Sequence, residues 1–158
     1  EFAEAVRAAL EATWPAEDTP APTFIVDDDW DVETIDELSE ITGRWVIVSD
    51  EDYSQLGVVS RCEDEEEYTV AVAFLERYIG ASDTKGKVPK AWKEERKRLV
   101  QDNIYRYLNN HREIEILAGA KTETCAVTVV MDRDLMRKTR VFVSVVEITF
   151  SEIRRVTT

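Results

Sequence analysis

The chain reads as a single α+β domain, residues 1–158, with a mixed or antiparallel β-sheet and two principal helices packed on one face. Three observations predict it. The stretches Phe2–Trp14 and Trp92–Leu108 repeat apolar residues at helical spacing. Several short segments either alternate with period two or run apolar and β-branched, and runs of strands around two helices mark the α+β class. No Gly/Ser or Pro linker divides the 158 residues, a length at which one core buries roughly two-thirds of the unfolded chain's surface. Hydrophobic residues make up 44% and charged residues 34%, which excludes a disordered or low-complexity chain. There is no internal repeat.

Phe2, Val6, Ala9, Leu10 and Trp14 line one helical stripe, and Pro15 stops the helix. After a loop containing Pro20 and Pro22, the run Phe24–Val26 predicts a strand. Ile35, Leu38 and Ile41 predict a short helix from Glu33 to Thr42, closed by Gly43 as a left-handed cap. Trp45–Val48 predicts a strand that runs into a polar loop at Ser49–Asp52, and Val58–Cys62 a further short strand. The acidic run Glu63–Glu67 is expected to be a solvated turn. From Tyr68 to Leu75 large and small residues alternate, as in a central strand with both faces covered. Gly80–Pro89 reads as a permissive loop, with Pro89 suited to a first helical turn. The long helix that follows carries Trp92, Leu99, Val100, Ile104, Tyr107 and Leu108 as its stripe and ends near Asn109 and Asn110. Thr122–Met131 and Arg140–Ser151 predict an antiparallel hairpin. Its last strand sets Phe142, Ser144, Val146, Ile148 and Phe150 on one face, and Val141, Val143, Val145, Glu147 and Thr149 on the other.

Charge narrows the function. The formal net charge is -13, which argues against a protein that grips a phosphate backbone. Residues 1–86 carry 23 acidic and 5 basic side chains, residues 87–158 carry 10 and 15. Such asymmetry makes a molecule with two unlike surfaces, suited to stacking like with unlike. The uncharged runs are far shorter than the roughly 20 residues that span a bilayer, and no signal segment opens the chain, so a cytosolic or assembled, non-membrane location is expected.

A catalytic reading finds few parts. His111 is the single histidine and reads as an exposed helix-end residue, so a His-based metal site or a Ser-His-Asp triad lacks its partners. Cys62 and Cys125 are far apart in sequence and read as reduced, partly buried thiols. Asp27, Asp28, Asp29 and Asp31 resemble the opening of a calcium loop, yet neither register supplies the glycine at position six. Neither a Gly-rich dinucleotide fingerprint nor a phosphate loop is present, and the Lys93–Arg98 stretch, interleaved with Glu94 and Glu95, reads as a solvated helix face. No catalytic residue, metal or cofactor is therefore assigned, and the chain is not expected to be an enzyme.

The succession of Trp45-Val-Ile-Val-Ser-Asp, then Val59-Ser-Arg-Cys, an acidic stretch, Tyr68-Thr-Val-Ala-Val-Ala-Phe, a long helix and the closing Arg140-Val-Phe-Val-Ser-Val-Val-Glu-Ile-Thr-Phe-Ser resembles the tail terminator family of long-tailed bacteriophages. That family is related to minor tail protein U, and the likeness covers nearly the whole chain. The resemblance implies a non-enzymatic virion protein, made in the host cytoplasm. Such a protein forms a homo-oligomeric, hexameric ring on the finished tail tube at the tail-neck junction, stops tube growth and joins the neck or connector. Other readings are a neck or head-completion protein, or an acidic monomeric protein-binding module.

A ring through which DNA slides needs a channel that repels phosphate. Asp50, Glu51, Asp52, Glu63, Asp64 and Glu65 are the candidates to line it. For the contacts between subunits or with the tube, the candidates are Lys85 and Lys87 in the Gly80–Pro89 loop, and Arg133, Leu135, Met136, Arg137 and Lys138 in the Asp132–Arg140 connection. In that connection Leu135 and Met136 are expected to be apolar anchors inside a charged rim, outside the core.

Overall fold

The computed structural model describes residues 2–18, 20–27, 42–60, 63–82, 86–110 and 120–155; in 51–60, 63–67, 110, 120–123 and 151–155 it describes the backbone. Helix α1 (Phe2–Thr13) leads to strand β1 (Thr23–Val26), then to two long strands, β2 (Arg44–Ser60) and β3 (Glu63–Arg77). Helix α2 (Lys90–Val100) continues through a π-helical turn at Gln101–Tyr105 into α3 (Arg106–Asn110). Strand β4 (Ala120–Val129), helix α4 (Arg133–Thr139) and strand β5 (Val141–Arg155) follow. The five strands form one mixed sheet in the order β1-β2-β3-β5-β4, parallel between β1 and β2 and antiparallel elsewhere.

The apolar stripes place the helices. Phe2, Val6 and Leu10 of α1, Val100 of α2, Ile104 of the π turn and Leu108 of α3 are all buried. They pack on one face of the sheet against Val46, Val48, Val70, Val72, Phe74, Phe142, Val146, Ile148 and Phe150. Aromatic contacts fix the docking: Phe2 stacks on Tyr68 and Phe150 with centroids 4.5 and 5.2 Å away. Trp92 of α2 meets Phe142 edge-on at 6.3 Å. The opposite face carries a second buried cluster of Ile47, Ala71, Ala73, Leu75, Val141, Val143 and Val145, joined by Leu135 of α4. This division of β5 follows the alternation read from its sequence, and the α+β class with two principal helices on one face stands as expected.

Four local expectations are corrected. Ser49–Asp52 is not a loop: the expected strand at Trp45–Val48 and the described part, 58–60, of the one at Val58–Cys62 are one strand, because β3 supplies backbone partners from Arg44 through Ser60. The acids are accommodated by irregularities, one residue of β2 standing outside the register between Asp50 and Asp52, another between Gln55 and Gly57, and a third between Val58 and Ser60. Glu63–Glu67 is likewise strand, not turn, held between β2 and β5. The Asp132–Arg140 connection of the expected hairpin between β4 and β5 is built around a short helix, Arg133–Thr139. Pro89 precedes the first helical residue, Lys90, where the sequence placed it inside the first turn. Most of the short helix expected from Glu33 to Thr42 lies outside the described residues, as do His111 and Cys62.

Candidate functional site

The three central strands give the molecule two ends. Fourteen residue steps along β3, at about 3.3 Å each, separate Glu63 from Arg77 by roughly 45 Å. At the Arg77 end a chain of charges ties the elements together. Glu76 of β3 accepts from Arg96 of α2 at 2.8 and 3.2 Å and lies 3.2 Å from Arg44 Nε of β2. Arg44 donates onward to Asp18 Oδ1 at 2.8 Å, and Trp14 Nε1 donates to the other oxygen of Asp18 at 2.8 Å. Arg96 also stacks over Trp92, 4.6 Å from the ring centroid. The Arg44 side chain is only 6% exposed. Burial pulls its pKa down, but the Asp18 hydrogen bond and the Glu76 charge outweigh that and hold it above the ordinary arginine value. The Arg44 Nε proton is not aimed at an acceptor despite the 3.2 Å approach of Glu76, so that contact is Coulombic rather than a hydrogen bond. This network is a clamp between α1, β2, β3 and α2.

Beside the clamp stands α4, and its sequence explains why it forms. Asp132 caps the N-terminus, accepting from Leu135 N at 3.1 Å. Arg137 and Lys138 occupy the last turn, where cations suit the helix dipole. Arg140 closes the helix in the left-handed conformation, φ 59°. Its backbone carbonyl accepts from Tyr78 N at 2.8 Å, and its guanidinium hydrogen-bonds Ser82, joining α4 to the start of the Gly80–Pro89 loop.

Here the expected interface divides. Arg133, Arg137 and Lys138 are exposed, Arg137 paired with Asp134 at 2.8 Å. Leu135 and Met136 are each only 5% exposed, so they are core residues and not surface anchors. Helical spacing is the reason: it turns them inward to the two clusters on either side of the sheet while the neighbouring bases face water. Lys87 is exposed and Lys85 lies outside the described residues.

The other end of the sheet is acidic. Asp50–Asp52 lie nearer the middle, where Asp50 is exposed on β2 level with Val70 of β3, and Glu51 and Asp52 follow it along the same strand. Glu63, Asp64 and Glu65 begin β3 in register with Arg155, Arg154 and Ile153 of β5. Glu63, Asp64 and Glu65 thus lie together at one end of β3, two of them opposite arginines, whereas Asp50 is level with Val70 and Asp52 with Thr69 in the middle of the sheet, so the structure does not bring the six channel candidates to one end. It sets the candidates of α4 at the far end. Sequence reading missed Arg96, whose signal was its place four residues after Trp92 and four before Val100 on the apolar stripe. Arg44, just ahead of the apolar run of β2, and Glu76, just behind that of β3, were missed too.

Among the described residues no group of three or more His, Cys, Asp or Glu is arranged to hold a metal ion. None of the described helices is long and apolar enough to cross a membrane. Cys125 on β4 is half-buried and reduced. No protein-family model matches the chain, and no curated protein matches its sequence.

Proposed function

We propose that the chain is a tail-terminator-type ring protein of a long-tailed bacteriophage, which caps the tail tube as a hexamer, ends its growth and forms the joint to the neck or connector in the virion. One observation carries the reading: charge is unevenly distributed along the sheet. Acids crowd the beginning of β3 at Glu63–Glu67 and stand at Asp50–Asp52 in the middle of β2, and the bases of α4 stand at the Arg77 end. A ring between tube and neck needs two unlike surfaces, and a bipolar subunit supplies them. The segments that carry the family resemblance support it further, since they occupy β2, β3, β5 and α2 at the centre of the fold. DNA crosses such a ring without specific binding when carboxylates face the channel.

The test is functional. Purified protein added to growing tail tubes should halt elongation and leave a ring on one tube end in electron micrographs. Its mass in solution should rise with ionic strength, because salt screens the mutual repulsion of subunits carrying -13 each. Tubes that elongate unchanged and bear no cap at any protein concentration would refute the reading.

A further inference from the structure

Among the described residues, two edges of the sheet carry no further strand. On its outer side β2 is paired with β1 from Trp45 to Val48, and among the described residues no strand flanks its remainder from Glu51 to Ser60. At the other side the sheet ends in β4. Unpaired strand edges are templates for another strand. These two match in length, since β4 has 10 residues and Glu51–Ser60 is as long. They match in direction too: each step from β2 through β3 and β5 to β4 is antiparallel, so β2 and β4 run oppositely. A neighbouring copy in the same orientation therefore offers its β4 antiparallel to this β2.

The irregularities of the two edges set the register. Against β3, the residues of β2 that stand outside the ladder are Glu51, Leu56 and Val59; against β5, those of β4 are Glu123 and Thr128. With Glu51 opposite Thr128, Leu56 falls opposite Glu123, so extra residue meets extra residue and the two strands stay in step. No other antiparallel register aligns two such pairs. Within one copy Tyr53 is level with Thr122, through Tyr68 and Phe150, whereas this register sets it against Ala126 of the next. The result is a stagger of four residues, and closed sheets require a stagger of this kind.

We propose that copies of the chain join by sheet continuation, with Glu51–Val59 of one copy pairing antiparallel to Ala120–Thr128 of the next and Glu51 opposite Thr128. The contact is heterologous and closes into a ring when its rotation permits. The pairing stands on the edges; only the closed ring rests on the function proposed above.

The register places Ser54 directly opposite Cys125 of the neighbour, within the reach of a disulfide. Inside one copy two strands intervene, and at about 4.8 Å per strand the gap is at least about 14 Å, too far to bridge. In a Cys62→Ser background, mild oxidation of Ser54→Cys should therefore give a ladder of linked chains on a non-reducing gel, stopping at six. Cys125→Ser should abolish it. Val58→Cys, four residues out of register, should link at least tenfold less. Monomers under all salt and protein concentrations, or native rings in which Ser54→Cys links no better than Val58→Cys, would overturn the pairing. Linked rings that fail to cap tail tubes would leave the pairing standing and refute the proposed function. A ladder that climbs past six would refute the closed ring but not the contact.

Discussion

Near Arg44, Arg77 and Val141 the three central strands are apolar on both faces and buried, with α1, α2 and α3 laid across one of them. Further along, from Glu51 on β2 and back to Glu63 on β3, the same strands are paired just as continuously, but there the sequence carries Glu51, Asp52 and the run Glu63–Glu67 beside a few apolar residues such as Leu56 and Val58. Backbone hydrogen bonding is alike in the two halves, so it does not decide where stability lies. Burial does in the first: at about 25 cal/mol per Å² its buried apolar side chains contribute much of the folding energy, while the run Glu63–Glu67 adds charge. A fold built this way can change one half without losing the other.

The sharpest way to break that comparison is Phe142→Ala. Phe142 is fully buried between Phe74 and Trp92, with centroids 6.1 and 6.3 Å away. Its truncation should cost about 3–5 kcal/mol in urea unfolding. Next comes the clamp. Glu76→Gln leaves the guanidiniums of Arg44 and Arg96, with side chains 6% and 10% exposed, to share a site without their common counter-charge. Breaking a buried pair from one side costs roughly 3–5 kcal/mol, and the 14% exposure of Glu76 puts the expectation at the lower end, about 3 kcal/mol. A double-mutant cycle of Glu76→Gln with Arg96→Met should recover part of the loss, and strictly additive costs would show that the clamp is not a unit.

Helix α4 sharpens the comparison, because it divides residue by residue. Leu135→Ser and Met136→Ser should each cost about 2–4 kcal/mol, as deletions from a packed core that also bury a hydroxyl. Arg137→Glu with Lys138→Glu should stay within about 0.5 kcal/mol and act on assembly, read by sedimentation. Equal losses from both variants would mean that α4 is held by its charges.

Why α4 was illegible in the sequence is instructive. The β4 and β5 segments were plain from their alternation, and so was the helical stripe of α2, since each repeats its pattern over many residues. Seven residues between strands give no period to read. The signals were local ones: Asp132 three residues ahead of Leu135, and bases at the end. The join between the two expected strands of β2 was hidden for a different reason, because Asp50, Glu51 and Asp52 have the composition of a loop. Only the pairing with β3, a contact distant in sequence, makes them strand. The same holds for Glu63–Glu67, and it is why the candidate acids could be named from the sequence but not placed. The clamp was missed because its members come from four separate stretches of chain, the turn after α1, β2, β3 and α2.

The smallest stability effects belong to the acidic half, and there the comparison can be tested in both directions. Glu65, Glu66 and Glu67 stand opposite Ile153, Glu152 and Ser151 on β5, away from the arginines that face Glu63 and Asp64. Replacing all three with Lys should leave unfolding within about 0.5 kcal/mol of the parent, since no apolar contact is removed. Glu66→Lys by itself should be neutral to slightly stabilising, because a like-charge cross-strand pair with Glu152 becomes an opposite pair worth about 0.2–1 kcal/mol. The functional readout should move far more than the structural one. Six charge units are gained per chain at one end of the sheet, and a ring concentrates them. Duplex DNA should then be retained at low salt in a gel-shift assay, and released between about 50 and 200 mM salt as counterion release dictates. Retention that ignored salt would point to a misfolded, sticky surface. If retention were absent in a variant that still formed rings, these carboxylates would lie away from the path of the DNA, and the acidic end would face a protein partner instead.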